Sequence, residues 1–472
     1  SAQLCARTTG QVGAETHCQI DERVAMNGQL LALSRGLGNA FLAGPWEPVG
    51  MLERAAEVVG GRRRWLRPVI RQVLAAYPEP PSDRPRELAA FVAGRAEVTS
   101  AIAKAAPARP VLARRIPPAP TRMAERRPWP VPVLDNERDL ARLLELDPDE
   151  LPWFADVRGL QRRAPGGPLH HYRYSWQVTR SGRARLLEAP RPRLRRMQRT
   201  LLDEVLAFIP VHPAVHGFVT ARSAVTAAQV HAGSAMVISL DLESFFSSLT
   251  AARVYGVFRA AGYPQPVAHQ LTGLCTTRTP VAELGAMPPA AQGADLAARF
   301  RQRRLLAAGH LPQGAPTSPA LANLCVLRLD RRLAGYAAGC AARYTRYADD
   351  LVFSVPPGHS DRLRPERLIA AVAAIAADEG LRVQPDKTRV QRAHQRQLVT
   401  GIVVNARPNL VRQDFDELKA VLHNAVRFGP ASQNRDQHPD FRAHLLGRIG
   451  WLQQLNPDRA ARLRRSFEAI VW

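Results

Sequence analysis

Cysteine and aromatic residues are scarce in this chain. Only five cysteines occur among 472 residues, and aromatic residues make up 6%. With no Cys-x-x-Cys pair, neither a disulfide framework nor a zinc knuckle is expected, and a reducing, cytoplasmic compartment is predicted. Cys5, His17 and Cys18 could hold a metal only with a distant fourth ligand. The cysteines are Cys5, Cys18, Cys275, Cys325 and Cys340.

Long apolar stretches are also lacking. The longest, Leu368 to Ala377, is far shorter than the roughly 20 residues that a membrane-spanning helix needs. The N-terminal residues show no charged segment followed by an apolar core, which is the pattern of a signal peptide. We therefore expect neither a signal peptide nor a membrane partner.

Acidic residues are few relative to basic ones. Asp and Glu number 41 against 65 Lys and Arg, for a formal net charge of +24. Such an excess repels itself unless a polyanion neutralises it, so nucleic acid is the expected partner and binding should weaken with salt. A GC-rich genome is the alternative explanation of the arginine content, but it does not explain the shortage of acids.

The chain is rich in the residues of helical cores. Hydrophobic residues make up 46%, largely Ala and Leu, and the length suggests several packed units. Residues 1–105 are predicted to be helical and basic. Residues 106–136 combine recurrent prolines with arginines and are predicted to form an extended linker. The Arg62-Arg63-Arg64 run is interpreted either as a solvated face or as an RNA contact.

The middle of the chain mixes short strands with helices. Strands are predicted at 171–174 and 185–187, followed by a helix that carries Met197 and Leu201. Residues 406–472 are again helical and basic. The mixture predicts an α+β fold.

Two acidic motifs fall at the ends of predicted strands. Val237-Ile238-Ser239-Leu240 is a continuous, nearly apolar run typical of a buried strand, and Asp241 ends it. Asp349 and Asp350 lie between two segments rich in β-formers, which predicts a hairpin. Asp-Asp is a poor choice for a two-residue turn, which favours Asn-Gly or Asp-Gly.

The three carboxylates would repel one another unless cations lie among them. Carboxylates without His or Cys suit Mg²⁺, and two Mg²⁺ ions about 3.5–4 Å apart are the arrangement used in phosphoryl transfer. The sequence therefore predicts Asp241, Asp349 and Asp350 as metal ligands and catalytic residues. The alternative is an exposed acidic turn.

Further motifs follow in an order that resembles the reverse transcriptase family. Tyr347-Ala348-Asp349-Asp350 resembles its palm hairpin, and 241–246 resembles its first palm motif. The segments 311–319, 385–388 and 398–405 resemble the nucleotide-positioning loop, the palm-lysine segment and the primer grip.

Other segments resemble the retron branch of the bacterial enzymes. These are Val399-Thr400-Gly401, His216-Gly217-Phe218, the helical segment 139–156 and the C-terminal Gly450-Trp451-Leu452. The block 227–231 keeps the Ala and His of the retron pattern Asn-Ala-x-x-His but has Ala227 in place of Asn. The resemblance covers roughly residues 137–472.

The resemblance implies a role for each matching residue. Asp241, Asp349 and Asp350 are expected to be the ligands of two Mg²⁺ ions. Nucleotide contacts are expected from Arg185 (triphosphate), Phe246 (steric gate against a 2′-OH), Gln313 and Lys387 (cation or proton donor).

Alternative interpretations without a role in nucleotide binding stay open for several residues. Arg185 and Lys387 could be solvated, and Phe246 could be a core aromatic. Gln198 could contact template or be solvated, and His231 could be structural or contact RNA.

The resemblance also implies an architecture and a reaction. A right-hand polymerase is expected, with leading helices and fingers over 137–235, a palm with a small antiparallel sheet over 236–395, and a helical thumb over 396–472. A helical extension precedes it.

The implied partners are dNTPs, a structured noncoding RNA that serves as template and primer, its DNA copy in a branched product, and an effector protein in antiphage defence. Rival interpretations are another bacterial reverse transcriptase class (group II intron-like, diversity-generating or abortive-infection) and a catalytically idle RNA-binding protein. The N-terminal region could bind RNA, dock an effector or be a fused effector.

Overall fold

A computed structural model of the chain provides the fold. Cys5, His17 and Cys18, and the first prolines of the 106–136 segment, lie outside the described residues. The described residues are 27–104, 112–114, 116–117, 120–123, 127–164, 167, 170–179, 182–290, 295–358 and 364–472.

The described residues form two compact units. The first comprises those up to Val157 together with Phe258–Thr272, and the second comprises those of Arg158–Val257 and Gly273–Trp472. The domain boundaries expected at 105, 136, 235 and 395 stay predictions.

The first unit is helical wherever it has regular structure within its described part. Its core is formed by apolar side chains three or four positions apart, such as Leu33, Leu37 and Phe41, which are fully buried. Pro48 and Pro85 begin two helices, because proline at the first helical position gives up only an amide that has no intrahelical acceptor. The helices that begin in this unit before residue 158 are α1 (27–42), α2 (Pro48–Val58), α3 (Leu66–Ala76), α4 (Pro85–Ala93), α5 (Ala96–Ala103), α6 (Glu137–Leu143) and α7 (Leu151–Ala155).

The second unit is built around a four-stranded sheet. Its strand order is β4-β5-β3-β6, and every neighbouring pair is antiparallel. The strands are β3 (Met236–Asp241), β4 (Arg343–Tyr347), β5 (Asp350–Val355) and β6 (Arg389–Arg392). β3 has a partner on each side, and Val237, Ile238 and Leu240 are buried, as the apolar run predicted. The predicted hairpin between β4 and β5 is also confirmed.

A second antiparallel pair precedes the sheet along the chain. It consists of β1 (Tyr172–Val178) and β2 (Ala184–Pro190), with Tyr172 opposite Pro190. Apart from β3, the elements described between β2 and β4 are helical. They are α8 (Pro192–Glu204), α9 (Ala224–His231), α10 (Phe245–Ser248), α11 (Ala251–Ala260), α12 (Gln265–Cys275), α13 (Val281–Gly285), α14 (Leu296–Ala307), α15 (Ser318–Cys325) and α16 (Leu327–Gly339).

The C-terminal residues form a helical group with its own core. Leu418, Leu445 and Ile449 are buried in it, and the exposed faces carry more basic than acidic side chains. A short pair, β7 (Leu398–Val399) and β8 (Ile402–Val403), precedes it. The helices after β5 are α17 (Pro365–Asp378), α18 (Arg412–Phe428), α19 (Phe441–Leu455) and α20 (Pro457–Glu468), and 3₁₀ turns occur at Leu160–Arg163, Leu206–Phe208, Pro385–Lys387 and Pro430–Gln433.

One helix start differs from what its sequence predicts. Ser318 followed by Pro319 is typical of an N-cap and a first helical residue, but Ser318 is itself the first helical residue and Thr317 occupies the cap position without a side-chain cap hydrogen bond. The Ser318 hydroxyl instead donates to the carbonyl of Pro312 at 2.7 Å, which closes the 311–319 loop on itself. Among the described residues, no helix has the length and apolarity that crossing a bilayer requires.

Candidate active site

The three acids predicted from the sequence meet at one end of the sheet. Asp241, the last residue of β3, pairs in register with Asp350, the first residue of β5. The amide of Leu242 donates to the carbonyl of Asp349 at 3.0 Å, so the chain beyond β3 stays attached to the turn. Residues separated by more than 100 positions are thus brought side by side by backbone pairing alone.

The turn that carries the acids has a strained backbone. Because Tyr347 pairs with Asp350, only Ala348 and Asp349 form the turn, and Ala348 has φ of +55°. A two-residue hairpin with positive φ usually takes glycine there. Gly217 packs so closely that a Cβ on it would lie 2.8 Å from the amide nitrogen of Ala348. Strain of this kind persists only where surrounding contacts enforce it, and such positions cluster at functional sites.

The electrostatics favour a cation among the acids. Burial, followed by the charges of Asp349 and Asp241, raises the pKa of Asp350 to about 6. Burial and then the charge of Asp241 also raise the pKa of Asp349. A bound divalent cation would relieve this repulsion, and a set of three carboxylates has the hard oxygen donors that Mg²⁺ prefers.

Lys387 is the cation that the chain itself supplies. Its Nζ lies 2.8 Å from Oδ2 of Asp241, and its charge lowers the pKa of both Asp349 and Asp350. Within the described part of the chain, no three His, Cys, Asp or Glu side chains already surround a common ion position. The backbone register is better evidence than the present side-chain positions that the three acids belong to one site, because a carboxylate can change rotamer while its strand stays paired. Ligation therefore requires Asp241 to turn away from Lys387.

Arg185 and Gln313, two predicted nucleotide contacts, lie on adjoining segments. Arg185 is exposed on β2, and its charge lowers the pKa of Asp349. The carbonyl of Gln313 accepts from the amide of Glu188, also on β2, at 2.8 Å. Gly314 has φ of +125°, and a Cβ on it would lie 3.3 Å from the carbonyl oxygen of Glu188. A larger residue would therefore separate the loop from the strand.

A buried ion pair, which the sequence did not reveal, stands behind this junction. His310 Nε2 lies 2.9 Å from Glu188 Oε2, and Thr279 donates to Glu188 Oε1 at 2.8 Å. The other ring nitrogen of His310 lies 2.8 Å from the carbonyl of Ala308. The two ring nitrogens of His310 both face hydrogen-bond acceptors, the carbonyl of Ala308 and the carboxylate of Glu188. Each of these two hydrogen bonds needs a proton, which an imidazolium paired with a carboxylate provides. Burial opposes this charge, but the carboxylate of Glu188 and the carbonyl of Ala308 together raise the pKa of His310.

Phe246 lies at the edge of an open cavity of about 430 Å³. The side chain is half-buried and contacts Phe245 edge to face, with ring centroids 5.5 Å apart. The structure leaves part of the ring accessible from this cavity, and its role as a steric gate stays a prediction.

A second buried network positions the acidic turn, and the sequence did not reveal it either. Arg346 is fully buried and forms two hydrogen bonds with Asp330, of 2.8 and 2.7 Å. Its Nη1 also donates to the carbonyl of Ala348 and to Asn323 Oδ1, both at 3.0 Å. Bidentate guanidinium–carboxylate geometry is directional, so Asp330 fixes the orientation from which Arg346 holds the turn.

Two residues considered as nucleic-acid contacts are internal. Gln198 is fully buried, and its Nε2 donates to the carbonyl of Leu274 and to the hydroxyl of Tyr172. The interpretation of Gln198 as a solvated or template-contacting residue was therefore wrong. His231 is also fully buried, with its ring nitrogens 2.7 Å from the hydroxyls of Ser354 and Thr345, which confirms the structural alternative.

Comparison with known proteins identifies the class first. A family model described as reverse transcriptase (RNA-dependent DNA polymerase) matches residues 177–404, a range that contains the three acids and the four predicted nucleotide contacts. The chain is therefore an RNA-directed DNA polymerase that uses an RNA template and dNTPs. The family implies metal-dependent nucleotidyl transfer, generally with Mg²⁺.

Similar individual proteins then narrow the class. The chain is 40% identical to the retron Mx65 reverse transcriptase of Myxococcus xanthus over 337 residues, which is 71% of this chain and 72% of that one. It is 37% identical to the retron Mx162 reverse transcriptase of the same organism, over 64% of this chain and 61% of that one. It is 28% identical to the retron Ec86 reverse transcriptase of Escherichia coli, over 62% of this chain and 79% of that one. The chain belongs to the retron reverse transcriptases.

Proposed function

We propose that the chain copies its own structured noncoding RNA into a branched RNA–DNA product. Synthesis would begin at a 2′-OH of a guanosine in that RNA and proceed by two-metal nucleotidyl transfer. The observation that carries the catalytic part is the register pairing of Asp241 with Asp350, next to Asp349 in the turn.

The proposed domain arrangement is that of a right-hand polymerase. Residues 137–235 would form the leading helices and fingers, 236–395 the palm and 396–472 the thumb. The four-stranded sheet within 236–395 and the basic helices after 411 support this division. The RNA–DNA hybrid would then be held through its phosphates and 2′-OH groups, largely without readout of sequence.

Each part of the site has a proposed task. Asp241, Asp349 and Asp350 would hold two Mg²⁺ ions, which when bound acidify the primer hydroxyl and neutralise the leaving pyrophosphate. Arg185 would orient the triphosphate through its fork of N–H donors, and Gln313 would contact the nucleotide. Phe246 would exclude a ribose 2′-OH. Lys387, released from Asp241, would place its ammonium where the pyrophosphate departs and can lose a proton to it.

Primer extension with Mg²⁺ on an RNA template tests the catalytic assignment. The Asp349→Asn/Asp350→Asn variant should lose incorporation by at least about 100-fold, because metal ligands matter at least as much as their outer-shell partners. Asp378→Asn is the matched control, since Asp378 is exposed and pairs with Arg332 on the surface. Equal incorporation by the site variant and the control would refute the assignment.

The nucleic acid that copurifies with the protein tests the retron product. We expect an RNA whose internal guanosine carries a DNA strand on its 2′-oxygen, so that RNase treatment leaves a short branched residue on the DNA. A linear cDNA without a branch would assign the protein to another bacterial reverse transcriptase class. A role in antiphage defence with an effector protein is proposed on the retron membership, and plaque counts with and without Asp349→Asn/Asp350→Asn test it.

A further inference from the structure

Phe218 is an exposed aromatic residue in a strained backbone conformation. Its φ is +60°, and 54% of its surface is exposed. Bulky residues rarely adopt positive φ, and an exposed ring gains little burial to offset the strain. Strained residues of this kind are found at ligand clamps.

Phe218 lies next to the acidic turn and to the buried network that supports it. Asn323 Nδ2 donates to the carbonyl of Gly217 at 3.0 Å, and Arg346 holds Asn323 from the other side. The ring of Phe218 lies beside that of Tyr347, with centroids 6.1 Å apart. The network that orients the acidic turn therefore also fixes the position of this ring.

The cavity beside Phe218 is lined by both aromatic and cationic residues. Phe218 and Phe246 line it together with residues 314–316. Arg195 and Arg199, one helical turn apart on α8, are exposed and also line it. Neither forms a salt bridge with an acid in the described part of the chain. The combination of π-faces with unpaired arginines is the chemistry of a single-stranded nucleic-acid site.

We propose that this cavity binds the template strand, with the base of the first unpaired template nucleotide stacked on Phe218 and its flanking phosphates bound by Arg195 and Arg199. The proposal deepens the function proposed above by naming how its template is held.

The arrangement of cations favours the template over the incoming nucleotide. The three acids, Arg185 and Lys387 do not line this cavity, so a triphosphate held at the acids would lie outside it. Arg195 and Arg199 do line it, and the phosphates that they bind are therefore assigned to the template strand. A base on Phe218 would then lie next to Tyr347, at the level where pairing with the incoming base takes place.

A fluorescent template tests the stacking without requiring catalysis. The probe is an RNA template with 2-aminopurine at its first unpaired position, annealed to a dideoxy-terminated DNA primer. Binding of the unchanged protein should quench the probe, and Phe218→Ala should restore its fluorescence and raise the Kd of the template–primer about 5- to 150-fold. Phe218→Tyr keeps the ring and should behave like the unchanged protein.

Phe208→Ala is the matched control for Phe218→Ala. Phe208 is a phenylalanine of similar exposure, 45%, that does not line the cavity. Quenching that persists in Phe218→Ala, or a loss of quenching of the same size in Phe208→Ala, would overturn the proposal. So would a rise confined to the KM for dNTP, because the ring would then serve the incoming nucleotide.

Salt dependence tests the arginines. Arg195→Gln and Arg199→Gln should each reduce the slope of log K against log salt by about 0.7, the value for one phosphate of a single strand. Arg328→Gln, in which the arginine lost is paired with Glu379, should leave the slope unchanged. Unchanged slopes in both cavity variants would contradict the proposed phosphate contacts.

Phe218→Gly distinguishes a binding role from a purely structural one. Glycine relieves the strain of the positive φ, so under the binding proposal we expect the melting temperature of the variant to be no lower than that of the unchanged protein while template binding falls. A marked loss of thermal stability would show that the ring is there for packing and would overturn the proposal. Since fluorescence, salt dependence and melting need no turnover, they separate a failure of the stacking proposal from a failure of the catalytic assignment.

Discussion

Lys387 forms a direct ion pair with Asp241: its Nζ lies 2.8 Å from Oδ2 at the end of the central strand. Half of the lysine side chain is exposed, whereas the aspartate is almost fully buried. The ammonium can therefore swing into solvent or toward a ligand while the carboxylate stays where the strand holds it. The pair gives the site an internal countercharge when cations are absent.

Removal of Lys387 should shift the pH dependence of the reaction. Its charge lowers the pKa of Asp349 and Asp350, so Lys387→Met raises both. The carboxylates must be ionised to hold metal. As the solution is acidified, the variant should therefore lose activity at a higher pH than the unchanged protein does. Primer-extension rates between pH 5 and pH 8 measure this acid limb of the pH–rate profile. Lys419→Met, an exposed lysine on α18, should leave that limb in place, and coincident limbs for the two variants would contradict the prediction.

The buried Arg346–Asp330 pair should separate stability from activity. Arg346→Met leaves a buried carboxylate without its partner, which should cost about 3–5 kcal/mol of unfolding free energy. Arg346→Met combined with Asp330→Leu should recover most of that loss, because removal of both charges is close to neutral. Activity should stay low in the double variant, since the carbonyl of Ala348 still lacks its donor. Denaturant melts and primer extension on the three proteins provide the comparison.

The exposed pair Arg114–Glu57 is the control for this cycle. Arg114→Met should cost only about 0–1 kcal/mol, the usual range for a surface ion pair. A double variant at the buried site that regained full activity along with stability would show that Arg346 does not position the turn.

The Glu188–His310 pair should make stability and nucleotide binding sensitive to alkaline pH. The pKa of His310 is raised when folded, so its contribution is complete below about pH 6.5 and is lost as pH rises through the folded value. His310→Gln should lower the melting temperature most at pH 6 and least at pH 9. Its KM for dNTP should rise, because the pair supports the junction of β2 with the Gln313 loop. His423→Gln, at an exposed position, should show a uniform and small effect at every pH.

His231 should contribute the opposite pH dependence. Burial and then the charge of Arg343 lower its pKa to about 3, so the folded protein keeps it neutral. The unfolded chain takes up the proton below about pH 6.5, so this part of the stability is present above that pH and is lost on acidification. His231→Gln should be less stable than the unchanged protein at pH 8 but should lose less between pH 7 and pH 4. Equal losses over that range would contradict a buried neutral imidazole.

Several elements could be predicted because their signals are local. The apolar run before Asp241 predicted a buried strand, and the β-forming flanks of Asp349 and Asp350 predicted a hairpin. Both are observed, because two-sided burial and turn formation act over neighbouring residues. The cap position of α15 lies one residue before the predicted Ser318, whose hydroxyl donates to the carbonyl of Pro312 instead of capping the helix.

Buried polar partners were beyond the reach of the sequence. Glu188 and His310 are 122 positions apart, and neither lies in a pattern that marks it as internal. Gln198 looked like a surface residue for the same reason, because its partner is a backbone carbonyl 76 positions away. No periodicity encodes such pairs, since only the packed chain determines which polar group faces which.

By itself, the sequence determined the chemical inventory: three strand-end acids, a basic chain that suits a polyanion, and motifs in the order of a reverse transcriptase. Only the tertiary structure decided that Asp241 meets Asp350 in register, that Lys387 reaches Asp241, and that Phe218 is held in a strained conformation beside the turn. The physical reason is that composition and periodicity act over a few residues. The distances between charges and rings are set by strand pairing and core packing across the whole second unit.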